Sequence, residues 1–493
     1  MAQFDLDAVK PKDTLNAGQI IRIANRMLFN INNSIVLHNE RTAYLALKVA
    51  QAQAMNSKCT LTNLVILALF HTLGFFRQDI LYNETPFSSD LIFFADEKRT
   101  KSKYMFSYYY LEFMTPLKND AQALEDFNQP FDEVQKKFLY QTDYKSIIYM
   151  CARASDFITR NPDTPFPADI NELAPGYFDP VFAEAFNKLN KDQALILQIK
   201  NSDFFWELEK YLYRIRLSPE ETHQALKLLV YFLDFKSTVT LTHSINTSCY
   251  ALSLGKRLRL NDEDLNTLFT SAIVHDIGKI ATPTRILEFP GRLSPEDMGI
   301  MRYHVNHTRR ILGSIVSTNI FETAGRHHEK LNGKGYPQHL DASVLNQNQR
   351  ILTIADITSA LTDNRSYKGE YSKEHTIDII TKMTDEGELD PQIVKILLEN
   401  YDDIREEQKY LQTFLKVDFS NVLKEYNDYL FNDADLIANN IEDITEVIEA
   451  AEPLEAIEEV EEIEEIDALE EIEEIEEIEE IDEVEKIDEV EEL

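Results

Sequence analysis

Seven of the eleven histidines fall between residues 243 and 339, and carboxylates are interleaved with them in the order His243, His275-Asp276, His304, His327-His328, Asp356. Imidazole suits Fe, Mn, Zn or Ni, while a carboxylate can bridge two ions and share its charge between them. Five histidines and two aspartates are more than one tetrahedral zinc takes. They suit two divalent transition metals, Fe or Mn, about 3.5–4 Å apart and bridged by a carboxylate and a hydroxide. The chemistry of such a centre is phosphodiester hydrolysis, in which a water acidified to near neutrality attacks phosphorus and the ions hold the surrounding oxygens. Lys279 lies four residues beyond His275, a spacing that predicts the same helical face and an ammonium aimed at a phosphate. No P-loop, GxSxG elbow or catalytic Ser or Cys signature occurs, so covalent acyl chemistry has no support. A lone histidine is usually a packed or solvated residue; here the ordered set carries the reading.

Helices are the elements that must position these side chains. Apolar residues recur at spacings of three and four over 40–54, 144–159, 221–234, 245–258 and 263–275. Glycine is scarce at 13 residues, and neither hairpin signals nor sustained alternation occurs, so the expected fold is all-α. Turn residues cluster at 159–176 and 329–341, where loops are expected.

The landmarks occur twice. His243 and His275 are 32 apart, and His38 and His71, about 205 residues upstream, are 33 apart. Their contexts match: HNERTAYLALKVAQ (38–51) with HSINTSCYALSLGK (243–256), and ILALFHTLGF (66–75) with TSAIVHDIGK (270–279). GYFDPVFAEAF (176–186) likewise mirrors GELDPQIVKIL (387–397). Order and offset point to a duplicated helical domain. In the first copy Thr72 follows His71 where Asp276 follows His275, and Arg153 is expected at the position of Asp356. An arginine there repels a cation, so the first copy is expected to be metal-free and to serve packing, dimerisation or sensing.

Four long motifs resemble the HD-GYP family of cyclic-dinucleotide phosphodiesterases: DFKSTVTLTHS (234–244), HDIGKIATPTRIL (275–287), HHEKLNGKGYP (327–337) and RILTIADITSALTDNRSYK (350–368). The resemblance covers roughly 210–400. It implies an all-α HD domain with metal ligands at His243, His275, Asp276, His304, His327, His328 and Asp356. It also implies that Lys279, Arg365 and Lys368 face the substrate phosphates and that Gly335-Tyr336-Pro337 forms a loop beside the pocket. The implied activity is hydrolysis of a cyclic dinucleotide, cyclic di-GMP first, to the linear dinucleotide or to GMP. Catalytic roles fall to Asp276 and Lys279. The chain departs from the family pattern at Val239, where a third-metal glutamate stands in some relatives, at Asn332 and Ser359, where aspartates are usual, and at Thr308, usually glycine. His223, His307, His339 and His375 match no ligand position.

The expected organisation is therefore two tandem HD-type helical domains, residues 1–200 degenerate and 205–435 catalytic, followed by an acidic low-complexity tail, 441–493. The tail carries 28 Asp and Glu against Lys486 alone, which leaves about −10 of the formal −37 for the rest of the chain. From Leu454 to Leu493 an apolar residue falls at every third position, a period that drifts around an α-helix and forms no single face. Like charge adds self-repulsion, so a solvated tail is expected, with a basic protein as its partner if it has one. A mildly acidic body excludes long nucleic acid as a ligand. The longest strictly apolar run, Leu64–Phe70, is too short to span a membrane. Three widely spaced cysteines, Cys59, Cys151 and Cys249, form no disulfide framework, and a cytoplasmic protein is expected, its oligomeric state left open with a homodimer as one option. Two rival readings remain: a cyclic-dinucleotide receptor or scaffold without turnover, and a phosphohydrolase of nucleoside mono- or triphosphates.

Overall fold

The computed structural model describes residues 15–55, 58–76, 97–125, 142–216, 239–287, 293–363 and 371–410, with scattered residues besides. The tail at 441–493 and most of the periodic segment 221–234 lie outside the described residues. Among the described residues every regular element is helical, and strand pairing is limited to one isolated bridge, Asn332 to Asp341. They gather into two compact units, one within 16–228 and one within 229–417.

The first unit comprises α1 (Ala17–Ile31), α2 (Asn33–Ala52), α3 (Lys58–Phe70), α4 (Glu97–Met114), α5 (Thr142–Arg160), α6 (Pro180–Leu189), α7 (Ala194–Lys200) and α8 (Phe204–Tyr213). Asn16 starts α1 with a reciprocal capping box to Gln19, and Asn32 caps α2. The second unit comprises α9 (Val239–Arg257), α10 (Asp262–Val274), α11 (Thr284–Leu287), α12 (Pro295–Arg302), α13 (His304–Leu312), α14 (Thr318–Ala324), α15 (Gln347–Thr362), α16 (Lys373–Asp385) and α17 (Pro391–Glu399). Its starts are written in the sequence: Ser294 caps α12 ahead of Pro295, Asp390 caps α17 ahead of Pro391, and Asn346 with Gln349 boxes α15. Helix α15 is buried along nearly its whole length, which suits its run ILTIADITSALT, uncharged but for Asp356. It packs Ile351, Leu352, Ile354 and Ile357 into a core with Tyr250 and Leu254 of α9, Leu268 and Ala272 of α10, and Ile380 of α16. A buried central helix of this kind can carry a carboxylate such as Asp356 only where something compensates its charge.

Individual contacts recur between the two units. The His38 and His71 rings lie 5.4 Å apart, those of His243 and His275 5.6 Å. His71 Nδ1 donates to Ala68 O at 2.8 Å, and His275 Nδ1 to Ala272 O at 2.7 Å. Gly74 N donates to Ser107 Oγ at 2.9 Å, and Gly278 N to Thr308 Oγ1 at 3.0 Å. Ser155 Oγ reaches His38 O at 3.2 Å, and Ser359 Oγ reaches His243 O at 3.3 Å. Gly176 and Gly387 both take positive φ, three residues ahead of the capping aspartates Asp179 and Asp390.

These contacts correct the placement of Arg153. With Ser155 matched to Ser359, the residue opposite Asp356 is the buried Ala152, and Arg153 instead donates Nη2 to Leu173 O at 3.2 Å. On that match the first unit has a methyl group where the second has the Asp356 carboxylate. Thr72 is engaged as well, exchanging hydrogen bonds with Asn39 at 2.7 and 2.9 Å. Burial holds the His71 imidazole down to about 4, and both burial and the neighbouring His71 hold His38 well below its ordinary value.

Candidate metal centre

Helix ends build the second unit's site. Asn261 and three acids in the first turn start α10, and its C-terminus delivers His275 and then Asp276. A 3-10 turn, Ile277–Ala281, follows and carries Lys279. His304 opens α13 directly after α12, and His327-His328 stand three residues past the end of α14. His243 comes from α9 and Asp356 from the middle of α15.

Three histidines are oriented in the same way. His275, His304 and His327 each donate Nδ1–H to the carbonyl three residues back, at 2.7, 2.8 and 2.6 Å. A carbonyl only accepts, so the tautomer is settled and each Nε2 faces inward. His304 Nε2 and His327 Nε2 then lie 3.3 Å apart. Held this way, the two rings turn their Nε2 atoms toward one another, an arrangement that a shared cation suits. His275 Nε2 lies 3.1 Å from Asp276 Oδ2 and 3.2 Å from Asp356 Oδ1, off the line of a good hydrogen bond to either. His243 Nε2 is 2.8 Å from Asp356 Oδ1 and 3.6 Å from Asp276 Oδ2, and His304 Nε2 is 3.3 Å from Asp276 Oδ1.

Three overlapping sets offer ligand atoms within 4.8 Å of one another: His304, His327 and His328; His243, His275 and Asp276; and His275, His327 and Asp356. All seven expected ligand residues are therefore brought together. The electrostatics ask for cations. Burial resists ionising Asp276, but the charges of His275 and Lys279 outweigh it and hold the carboxyl well below its ordinary range. Asp356 is held down in the same way, against burial, by the charge of His275 and by the hydrogen bond from His243. In turn, Asp276 and Asp356 raise His275 well above its usual value despite burial, so a proton occupies a place where positive charge is required. His327, lowered to about 3, and His328, well below its ordinary value, stay neutral because burial and neighbouring histidines oppose a charge there. Five imidazoles around two ionised carboxylates, with the proton on His275 standing where a cation would bind, fit a pair of divalent ions.

Lys279 is buried, with Nζ 3.2 Å from Asp276 Oδ2. It reaches the centre from the 3-10 turn and not from the α-helical face expected of it, because α10 ends at Val274. The Tyr336 ring stacks on His328 at 4.6 Å, under the Arg302 guanidinium at 5.3 Å. Gly335 is required there, since a Cβ would come within 2.4 Å of His328 O and Lys330 N. The Tyr336–Pro337 peptide is cis. Arg365 and Lys368 lie outside the described residues, as does the side chain of Val239.

Four positioning groups escaped the sequence reading. Glu329 is buried and accepts from Gln338 N and Leu340 N at 2.6 and 2.8 Å, which ties down the loop after Pro337. Thr308 does more than alter packing: its hydroxyl donates to His275 O at 2.7 Å and accepts from Gly278 N. Gly278 has no room for a side chain, because a Cβ would lie 2.0 Å from His304 O and 2.4 Å from Thr308 N. Asp363 stands behind His243, with Oδ2 3.4 Å from Nδ1. Gly278→Ala is expected to cost about 1–3 kcal/mol or more, since backbone must move to admit the methyl. Denaturant titration measures it, and a stability equal to wild type would show that the turn yields freely. By contrast Asn332 is half-buried at its bridge to Asp341, its side chain accepting from Lys334 N at 3.0 Å.

Residues 219–393 match the family model described as HD domain. The chain is 34% identical over 186 residues to 3′3′-cGAMP-specific phosphodiesterase 1 of Vibrio cholerae, a match covering 38% of this chain and 43% of that protein. It is 31% identical over 214 residues to 3′3′-cGAMP-specific phosphodiesterase 2 of the same organism, covering 40% of each. A cyclic di-GMP phosphodiesterase of Pseudomonas aeruginosa is 29% identical over 158 residues, covering 32% of this chain and 38% of that one. The chain thus spans about two fifths of the length of these relatives. Among the described residues no helix is long and apolar enough to cross a membrane. The resemblance read from the motifs is borne out as far as the domain: residues 219–393 match an HD domain, and the relatives similar to them carry the names of cyclic-dinucleotide phosphodiesterases.

Proposed function

We propose that residues 229–417 hydrolyse a phosphodiester bond of a cyclic dinucleotide, cyclic di-GMP or its mixed guanine–adenine counterpart, using two Fe or Mn ions. The observation that carries the proposal is the convergence of five imidazoles and two ionised carboxylates on one buried point, with Lys279 beside them. His243, His275, Asp276, His304, His327, His328 and Asp356 would hold the ions, which when bound supply Lewis acidity and an acidified water. The chain's own groups do the rest. Asp276 and Asp356 remain ionised and balance the added positive charge, and the carbonyl-locked histidines keep their Nε2 atoms inward. Lys279 offers an ammonium to a non-bridging phosphate oxygen, where negative charge grows during attack. Tyr336 presents an aromatic face beside His328 on which a base or ribose can rest. Arg365 and Lys368 complete the phosphate contacts by resemblance alone.

The unit within 16–228 is inferred to be a metal-free copy of the same domain that serves packing, dimerisation or sensing. Its recurring contacts support this, and only two histidines remain of the ligand set. The receptor reading rested on Asn332 and Ser359. Asn332 accepts from Lys334 N in a turn and the Asp363 carboxylate stands behind His243, which supports turnover over the receptor. The deciding experiment loads the full chain anaerobically with Fe(II) or Mn(II) and analyses products from several cyclic dinucleotides and nucleoside phosphates. A linear dinucleotide or GMP supports the proposal. Binding without any linear product overturns it in favour of a receptor, and turnover of nucleoside phosphates alone overturns it in favour of another phosphohydrolase.

A further inference from the structure

His243 differs from the other inward-facing histidines in how its outer nitrogen is held. His275, His304 and His327 use carbonyls in the last turn of the helix before them, whereas His243 Nδ1 faces side chains of α15 and its end. Ser359 Oγ lies 3.2 Å from it and Asp363 Oδ2 3.4 Å. A serine hydroxyl both donates and accepts, so on its own it leaves the imidazole free to carry its proton on either nitrogen. An ionised carboxylate accepts only. Ser359 Oγ, in turn, is 3.1 Å from Asp363 Oδ2 and donates either there or to His243 O. Asp363 is itself fixed: Asn246 donates to its Oδ1, and Gln408 donates to Asn246 Oδ1 at 2.6 Å.

We infer that Asp363 is the positioning residue for His243, supplying from one helical turn further on the carboxylate that Ser359 does not provide. Nδ1–H donates to it, and Nε2, which lies 2.8 Å from Asp356 Oδ1, would be left to bind an ion in place of that contact. Ligand histidines backed in this way lose metal affinity by about 10–100-fold when the backing group is removed. The inference rests on His243 binding metal. It explains how a chain with serine at 359 keeps a competent centre.

The test measures Mn(II) affinity of the full chain by competition with a chelating dye, beside product formation. Asp363→Asn keeps the shape but offers an amide that can donate, and is expected to weaken the looser ion about 10–100-fold. The paired change Ser359→Asp with Asp363→Ser returns a carboxylate to the earlier position and is expected to recover most of that affinity. Gln408→Ala loosens the far end of the same network and is expected to leave affinity within a few-fold of wild type. Unchanged affinity in Asp363→Asn would overturn the inference. So would a Gln408→Ala loss as large as that of Asp363→Asn, or no recovery in the paired change, since either points to packing alone. Wild type that takes up no metal would instead sink the metal-centre reading on which all of this stands.

Discussion

Asp276→Ala is expected to lose metal and hydrolysis together. The Asp276 carboxylate meets His275, Lys279, His304 and His243 within 3.1–3.6 Å, more of the centre than any neighbour touches. It also balances the charge of Lys279. Without it, Lys279 becomes a buried cation beside the place where two more are to bind, and His275 loses its strongest electrostatic partner. Metal affinity should fall by more than about 100-fold, beyond the cost of removing a mere backing group. Turnover should fall on the order of a thousand-fold or more, as when a group that stabilises developing charge is deleted. Elemental analysis after reconstitution, paired with product analysis, checks both halves. Two ions retained in Asp276→Ala would remove Asp276 from the ligand set.

Lys279→Ala should separate the two effects. Its ammonium sits 3.2 Å from Asp276 Oδ2 and competes with cations for that carboxylate, so its removal should leave metal affinity equal or tighter. The rate should nonetheless fall about a hundred- to a thousand-fold, the worth of an aimed charge in a dry site. A rate within threefold of wild type would make Lys279 a structural counter-ion only. A receptor without turnover would show neither effect, only weaker dinucleotide binding.

The candidate metal centre was legible in the sequence because its chemistry is carried by uncommon side chains in unbroken dipeptides, His275-Asp276 and His327-His328, which follow the C-termini of α10 and α14. The helical class was legible for the same local reason: 144–159 and 263–275 read as helices, and α5 and α10 lie there. What stayed hidden depends on contacts between residues far apart in the chain. Thr308 reads as a small substitution until its hydroxyl is seen joining His275 to Gly278. Asp363 is one acid among 86 Asp and Glu until α15 and α9 bring it to His243. Arg153 was misplaced by a single residue, a slip that periodicity alone could not detect and that one hydrogen bond, Ser155 to His38, resolves.

The carbonyl locks on His275, His304 and His327 have a consequence for how this domain can drift in evolution. Each imidazole takes its aim from the last turn of the helix before it, at a fixed distance of three residues. The centre is therefore indexed by helix length. One residue added within α10, α12 or α14 would swing the following histidine by about 100° and carry it about 1.5 Å along the axis, away from its mates. The same residue added in a connection such as 313–317 would disturb no ring. Insertions and deletions in descendants of this chain should collect between the helices, while the helices that end at the centre keep their count.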